Sequence, residues 1–333
     1  MGLRKRILNY VVKTLNGMAL GLFATLIVGV IIEQFASLLG IDALQQLAEA
    51  LKGLMGAGIG LGVAYSLGLK GLPLIAGAMA GGIATAIIAA NDPLVAYLTT
   101  VFAIEGTRLV LRKPTPLDIL LVPILTALIA LGVVLLIGPY VASAMEALRD
   151  FILWATERQP FTMGVLIAVV MGMALTMPIS SAAIAIILGL SGIAAGAALV
   201  GGAAQMIGFA VMSRKDLRIG EVLSIAFGTS MLQFKNVIRN PRVWIPPIAA
   251  SAILGPLATL VFIMETTPEG AGMGTSALVG PLQTLDAMGY DISVFLRIGL
   301  LHFVLPVALV LGLDIWLRKM GWIKPGDLSL KTE

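Results

Sequence analysis

Residues Thr176–Ile186 read TMPISSAAIAI, inside one of the most apolar regions of the chain. Proline has no N–H to donate, and its ring clashes with the carbonyl four residues back. Pro178 therefore ends or kinks any helix that reaches it. Ser180 and Ser181 come next, and then only a short apolar run, Ser181–Leu190. A helix of that length does not cross a bilayer unaided. A freed backbone group in hydrocarbon meets no water, so a break is tolerated only inside protein or beside a water-filled cavity. Two readings are open. Either the serines repair a kink and cap the next short helix, or the segment is a re-entrant break whose N–H groups and hydroxyls line a solute cavity.

The rest of the chain supplies the membrane. Of 333 residues, 59% are hydrophobic and 12% charged, about half the charge of an ordinary soluble domain. Mean hydropathy is +1.01. Apolar runs of about 20 residues recur along the whole length, each long enough to span a hydrocarbon core. No strand alternation suggests a barrel, so the backbone is satisfied within helices. The expected fold is all-α: a polytopic membrane bundle with about ten crossings and two re-entrant or broken-helix hairpins.

Spans are expected at 14–38, 50–69, 72–90, 93–111 and 117–140, then at 162–176, 194–212, 220–237 (less apolar), 243–264 and 292–317, with 181–190 a short helix that does not cross alone. The charged stretch 141–159, with Phe151 and Trp154, reads as an amphipathic helix at the interface. The basic N-terminus, Arg4 to Arg6, precedes an apolar run too long for a signal peptide, so the first span is expected to be retained. Lys and Arg in the loops orient both termini to the cytoplasm. The net charge of +4 is accounted for by these loops and points to no nucleic acid.

A weak repeat runs through this single membrane domain, 1–333. LGLKG at Leu67 recurs as LGLSG at Leu188, GAMAGG at Gly77 as GAALVGG at Gly196, and PILTALIALG at Pro123 as PIAASAILG at Pro247. The offset stays at roughly 120 residues, which suggests repeat halves 10–140 and 160–317 joined by 141–159.

Polar groups at membrane depth need partners, water or a purpose. A second broken stretch, AGMGTSALVGPLQTL at Ala271–Leu285, carries Thr275, Ser276 and Gln283 and suits a hairpin dipping into the protein. In FGTSMLQFKNVIRNP, the spacing of Thr229, Gln233 and Asn236 places all three on one helical face. Such a neutral stripe suits sugar or polyol hydroxyls, or else bonds between helices. Gln205 is a lone amide in an apolar span. These residues, with Ser180 and Ser181, are the expected solute ligands. Asn91, Asp92, Glu105 and His302 are candidates for coupling or gating. Asp92 before Pro93 also reads simply as a helix N-cap, Glu105 as the partner of Arg108 on one helix, and His302 as a hydrogen-bonded neighbour of another helix. One histidine and no cysteine leave no metal site of usual spacing. Without a nucleotide loop or paired catalytic carboxylates, no cofactor and no self-contained enzyme are expected.

Several of these stretches together carry a resemblance: NDPLVAYLTTVFAIEGTRLVLRKPTPLDILLVPI, MPISSAAIAI, GGAAQMIGFAV, GTSMLQFKNVIRNPRVWIPPIAASAILGPLAT and GMGTSALVGPLQTL. The chain resembles enzyme-IIC-like membrane proteins of the sugar phosphotransferase system, in the perfringolysin-regulator-like branch, from about Gly17 to Leu317. The resemblance implies a multi-helix transporter of a bacterial inner membrane, an internal sugar site and a homodimer. Phosphate, if used, would come from separate phosphotransferase subunits, since this chain carries no phosphoryl-bearing domain. The leading expectation is an alternating-access transporter of a small polar, sugar-like solute. The alternative is a membrane-embedded solute sensor or transcription-linked regulator.

Overall fold

A computed structural model describes residues 3–87, 92–113 and 115–330. Its described elements are helical, apart from one isolated antiparallel bridge between Gly192 and Thr266. The chain is a multi-pass membrane protein. Five helices are long and apolar enough to cross a bilayer, or six if one bent pair counts as a span. The expectation of about ten crossings is therefore met in part by shorter apolar helices. These include Leu72–Ile87 and Pro160–Thr176. The chain divides into two compact units, with the boundary between Ala144 and Met145.

In the first unit, α1 (Leu3–Leu22) runs through a π-helical turn, Phe23–Ile27, into α2 (Val28–Leu39). Helix α3 (Asp42–Gly53) meets α4 (Met55–Ser66) at a 49° bend. Then come α5 (Leu72–Ile87), α6 (Pro93–Val110) and the part of α7 (Asp118–Thr156) up to Ala144, the rest of α7 belonging to the second unit. The sequence of α4, MGAGIGLGVAYS, places glycines at every second position. On a helix, positions four apart share a face. Gly58 and Gly62 thus meet α1, and Gly56 and Gly60 meet α5. A Cβ on Gly21 would lie 2.0 Å from the Gly58 carbonyl oxygen, and one on Gly60 would lie 2.2 Å from that of Gly77. Two glycine faces let α4 sit backbone to backbone between its neighbours, which is how membrane helices gain dispersion contact without a hydrophobic driving force.

Helix α7 corrects one expectation. It continues through Pro139 to Thr156 as a single helix of 39 residues, so no separate interfacial helix begins at 141. A proline removes one hydrogen bond, and the residues after Pro139 compensate because they are strong helix formers (Ala142, Ala144, Met145, Glu146, Ala147, Leu148).

The second unit contains α8 (Pro160–Thr176), α9 (Ser181–Ile187), α10 (Gly192–Ser213), α11 (Ile219–Phe227), α12 (Phe234–Arg239), α13 (Ile245–Pro256), α14 (Pro268–Ala271), α15 (Val279–Met288), α16 (Ile292–Ile298) and α17 (Leu305–Lys319). Its axis is α10, buried around almost its whole circumference. Small residues make this possible. A Cβ on Gly201 would lie 1.9 Å from the Ala168 carbonyl oxygen of α8, and one on Gly196 would lie 1.9 Å from that of Met264. Ser251 of α13 donates to the Gly201 carbonyl at 3.2 Å.

The expected span 220–237 is also corrected. It breaks at Gly228 (φ −102°, ψ −80°) and Thr229, which is extended. The Thr229 hydroxyl accepts from Met231 N at 3.1 Å and caps a 3-10 helix, Ser230–Gln233, ahead of α12. Thr229, Gln233 and Asn236 therefore do not share one face of a continuous helix. In the last span, a π-helical turn, Gly299–Val304, sits between α16 and α17. Pro306 lacks the N–H that would reach back to residue 302, and the widened turn absorbs that loss.

Candidate functional site

Three interruptions of helical backbone converge on the middle of α10. The first lies between α8 and α9, where Met177 is extended (φ −75°, ψ 159°), as the residue before a proline prefers. The second lies just after α14. There Gly274, Ala277 and Leu278 adopt positive φ of 54°, 46° and 61°. For the two non-glycines this conformation costs roughly 1–3 kcal/mol each, and it persists only where the surroundings enforce it. The third is the Gly228–Thr229 break.

The first two touch Gly202, Gln205 or Met206, which fall on one face of α10, and the third reaches Gln205 through the contact of Ser230 with Thr176. A Cβ on Gly202 would lie 3.0 Å from Gly274 Cα and 3.1 Å from Leu175 Cδ2. Thr275 Oγ1 lies 3.6 Å from Met206 Sδ and donates to the Ala226 carbonyl. The Thr176 hydroxyl donates to Gln205 Oε1 at 3.2 Å and lies 2.9 Å from Ser230 Oγ. Trp244 Nε1 donates to the same Gln205 oxygen at 2.9 Å. An indole N–H only donates, so it fixes which end of the Gln205 amide is oxygen.

Gln205 is fully buried, and its Nε2 has no hydrogen-bond partner. Leaving such a donor unsatisfied costs about 1–3 kcal/mol. The buried Ser276 hydroxyl is likewise unpartnered, as is that of Thr266, which lies beside Gly192 at the start of α10, away from Gln205. These groups are neutral donors and acceptors, suited to hydroxyl-bearing ligands rather than to ions. Among the described residues no cluster of His, Asp and Glu could hold a metal.

Other sequence candidates have structural employment. The Ser181 hydroxyl is not a cap for α9; it donates to the Gly272 carbonyl at 2.7 Å. Ser180 precedes α9, and its carbonyl accepts from Ile184 N at 3.1 Å. Gln283 accepts from Thr267 Oγ1 at 2.6 Å. Gln233 donates to Ser213 Oγ and the Leu328 carbonyl, both at 3.0 Å, and Asn236 donates to the Ser329 carbonyl at 3.1 Å. His302 lies in the π-helical turn, fully buried, with neither ring nitrogen partnered.

In the first unit, Asp92 caps α6, accepting from Leu94 N at 2.7 Å and Val95 N at 3.4 Å. Glu105 accepts from Arg108 at 2.7 Å and from the Tyr10 hydroxyl at 2.7 Å. Asn91 lies outside the described residues. A cavity of about 330 Å³ in this unit is lined by Thr107, Thr126, Arg108 and Arg112 among apolar side chains, but by none of the sequence candidates.

Sequence reasoning did not select Thr176, Ser230 or Trp244. Thr176 and Ser230 adjoin breaks or polar stretches visible in the sequence, so their position was a usable signal. Trp244, in RVWIPP, gave none.

A family model described as "Phosphotransferase system, EIIC" matches residues 12–330. No curated protein and no solved structure matches the chain. The match covers nearly the whole of the sequence. The chain therefore belongs to the phosphotransferase-system EIIC family, the membrane permease component of sugar phosphotransferase systems.

Proposed function

We propose that this chain moves a neutral, polyhydroxylated solute, a sugar or a polyol, by alternating access, and that the solute binds where the three breaks meet α10. The observation that carries the reading is Gln205: a fully buried amide whose oxygen is doubly engaged and whose Nε2 donor is unused. Gln205 Nε2 and Ser276 Oγ are the direct ligands in this reading. Thr176, backed by Ser230, and Trp244 hold Gln205. Ser180, Ser181, Thr229, Thr275 and Gln283 frame the broken backbone. Irregular backbone buried at membrane depth supports the reading, because transporters build their sites from such segments. Family membership favours permeation over the sensing alternative.

The test is a thermal-shift panel of sugars, polyols and sugar acids on purified protein without a phosphoryl donor, followed by Gln205→Met. Saturable stabilisation by sugars or polyols that is lost in Gln205→Met is the expected result. Binding that survives Gln205→Met unchanged would overturn the site. Separate subunits supply any phosphate in this reading. The protein works as a homodimer in a bacterial inner membrane, with both termini cytoplasmic and with repeat halves 10–140 and 160–317. Because the chain has no cysteine, single introduced cysteines and an impermeant maleimide report sidedness directly.

A further inference from the structure

The C-terminal segment 321–330 is held by side chains from between α10 and α13. The Asp216 carboxylate accepts from Gly326 N at 3.0 Å and Leu328 N at 3.4 Å. The Asn240 amide donates to the Trp322 carbonyl at 3.1 Å and to Asp327 Oδ2 at 2.9 Å. Gln233, Lys235 and Asn236 donate to three successive carbonyls, those of Leu328, Leu330 and Ser329 respectively. Leu328 is 0% exposed and Ile323 is 2% exposed. Side-chain amides on carbonyls, a carboxylate on N–H groups and two apolar anchors together make a peptide-recognition groove. Its occupant is the segment 321–330 of the same chain.

The groove is continuous with the candidate site through one short element. In the 3-10 helix Ser230–Gln233, residues three apart eclipse one another. Ser230 at one end meets Thr176 in the site at 2.9 Å. Gln233 at the other end binds Leu328. Whatever fixes Gln233 therefore fixes the position of Ser230.

We propose that residues 321–330 are an intramolecular latch. Seated in the groove, they hold the 3-10 helix Ser230–Gln233, and with it the junction of the three breaks, in a closed arrangement; when they leave, the junction opens. The proposal rests on the reading of that junction as the solute site, but the device needs no identified solute. A segment that binds only the closed state shifts the population toward it.

The test uses full-length protein in lipid nanodiscs, with Ser276→Cys as reporter of the junction and Ser251→Cys as a buried control between α13 and α10. Both serines are buried, and neither reporter competes with a native cysteine. The latch is loosened from either side, by Asp216→Asn in the groove or by Leu328→Ala in the segment. N-ethylmaleimide labelling at Ser276→Cys is expected to accelerate about tenfold in each loosened variant, a population shift of one decade, with Ser251→Cys unchanged. Equal acceleration at both reporters, or none at Ser276→Cys, would overturn the latch. Should one loosened variant not fold, the other decides. If Gln205→Met keeps full solute binding while the labelling pattern holds, the solute assignment fails and the latch stands; the reverse pattern removes only the latch.

Discussion

Ser181 Oγ donates to the Gly272 carbonyl at 2.7 Å across 91 residues of sequence, and this bond joins the first broken segment to the second. The approach is close because residue 272 is glycine: a Cβ there would lie 2.5 Å from both Ala182 Cα and the Ser181 carbonyl oxygen. Each break frees backbone polar groups that water cannot reach, and here a hydroxyl beside one break satisfies a carbonyl beside the other. The interruption at Pro178 is thus explained jointly with a stretch far along the chain.

Replacing Ser181 with Ala leaves the Gly272 carbonyl without this donor in a buried setting. We expect a loss of about 1–3 kcal/mol of stability, read as a lower melting temperature in detergent. Unchanged melting would show that the two breaks do not depend on this bond.

Gly201→Ala places a methyl 1.9 Å from the Ala168 carbonyl oxygen. The obstacle is backbone, so no side chain can yield. A cost at or above the usual 1–3 kcal/mol of overpacking, roughly, is expected, seen as loss of monodisperse protein on size-exclusion chromatography. Gly132→Ala is the control. Nothing lies within 4 Å of a Cβ at Gly132, so that variant should be neutral or slightly stabilised by helix propensity.

Trp244→Phe keeps the aromatic body and removes the N–H that orients Gln205. If Gln205 binds the solute, affinity should fall about tenfold, or about 1.4 kcal/mol, with little change in melting of the free protein. A titration that gives equal affinity for the variant and the parent would separate Trp244 from the site.

Asp314 is fully buried in α17. It accepts from Arg318 Nε at 2.8 Å and faces Arg214 at 3.8 Å. Arg318 is itself mostly buried and also donates to the Met212 carbonyl. Asp314→Ala removes the nearer of two carboxylates on that guanidinium and leaves Asp216 at 3.9 Å, so the cost should be a part of the roughly 3–5 kcal/mol lost when a buried pair is fully broken. The double variant Asp314→Leu with Arg318→Met should melt above the single variant. A double variant less stable than Asp314→Ala would refute the pairing argument.

Local rules were legible without the fold. Asp92 before Pro93 is a helix N-terminus because a carboxylate reaches the first N–H groups and proline needs none. Glu105 and Arg108 pair because residues three apart are neighbours on a helix. The Gly228 break was not legible. Ile225, Ala226 and Phe227 lead into it as ordinary helix, and the Thr229 and Ser230 that follow occur inside membrane helices as well as at their ends. Gln233 and Asn236 read as a solute stripe because a polar amide at membrane depth needs a partner. That their partners are carbonyls of residues 328 and 329 depends on a return of the chain that no local pattern encodes.

The amino-acid sequence by itself determined the membrane class, the helical backbone and the places where Pro178 and the glycines after Ala271 interrupt it. These come from hydropathy and from the covalent geometry of single residues, which act where they stand. The destinations of the polar side chains were decided by the tertiary structure. Ser181 was sent to Gly272, Gln233 to the C-terminal segment, and Gln205 to Trp244 with one donor left over. A hydrogen bond is a property of two groups, and which two meet depends on helices approaching from far apart in the chain, closely enough only where glycine lets one backbone touch another.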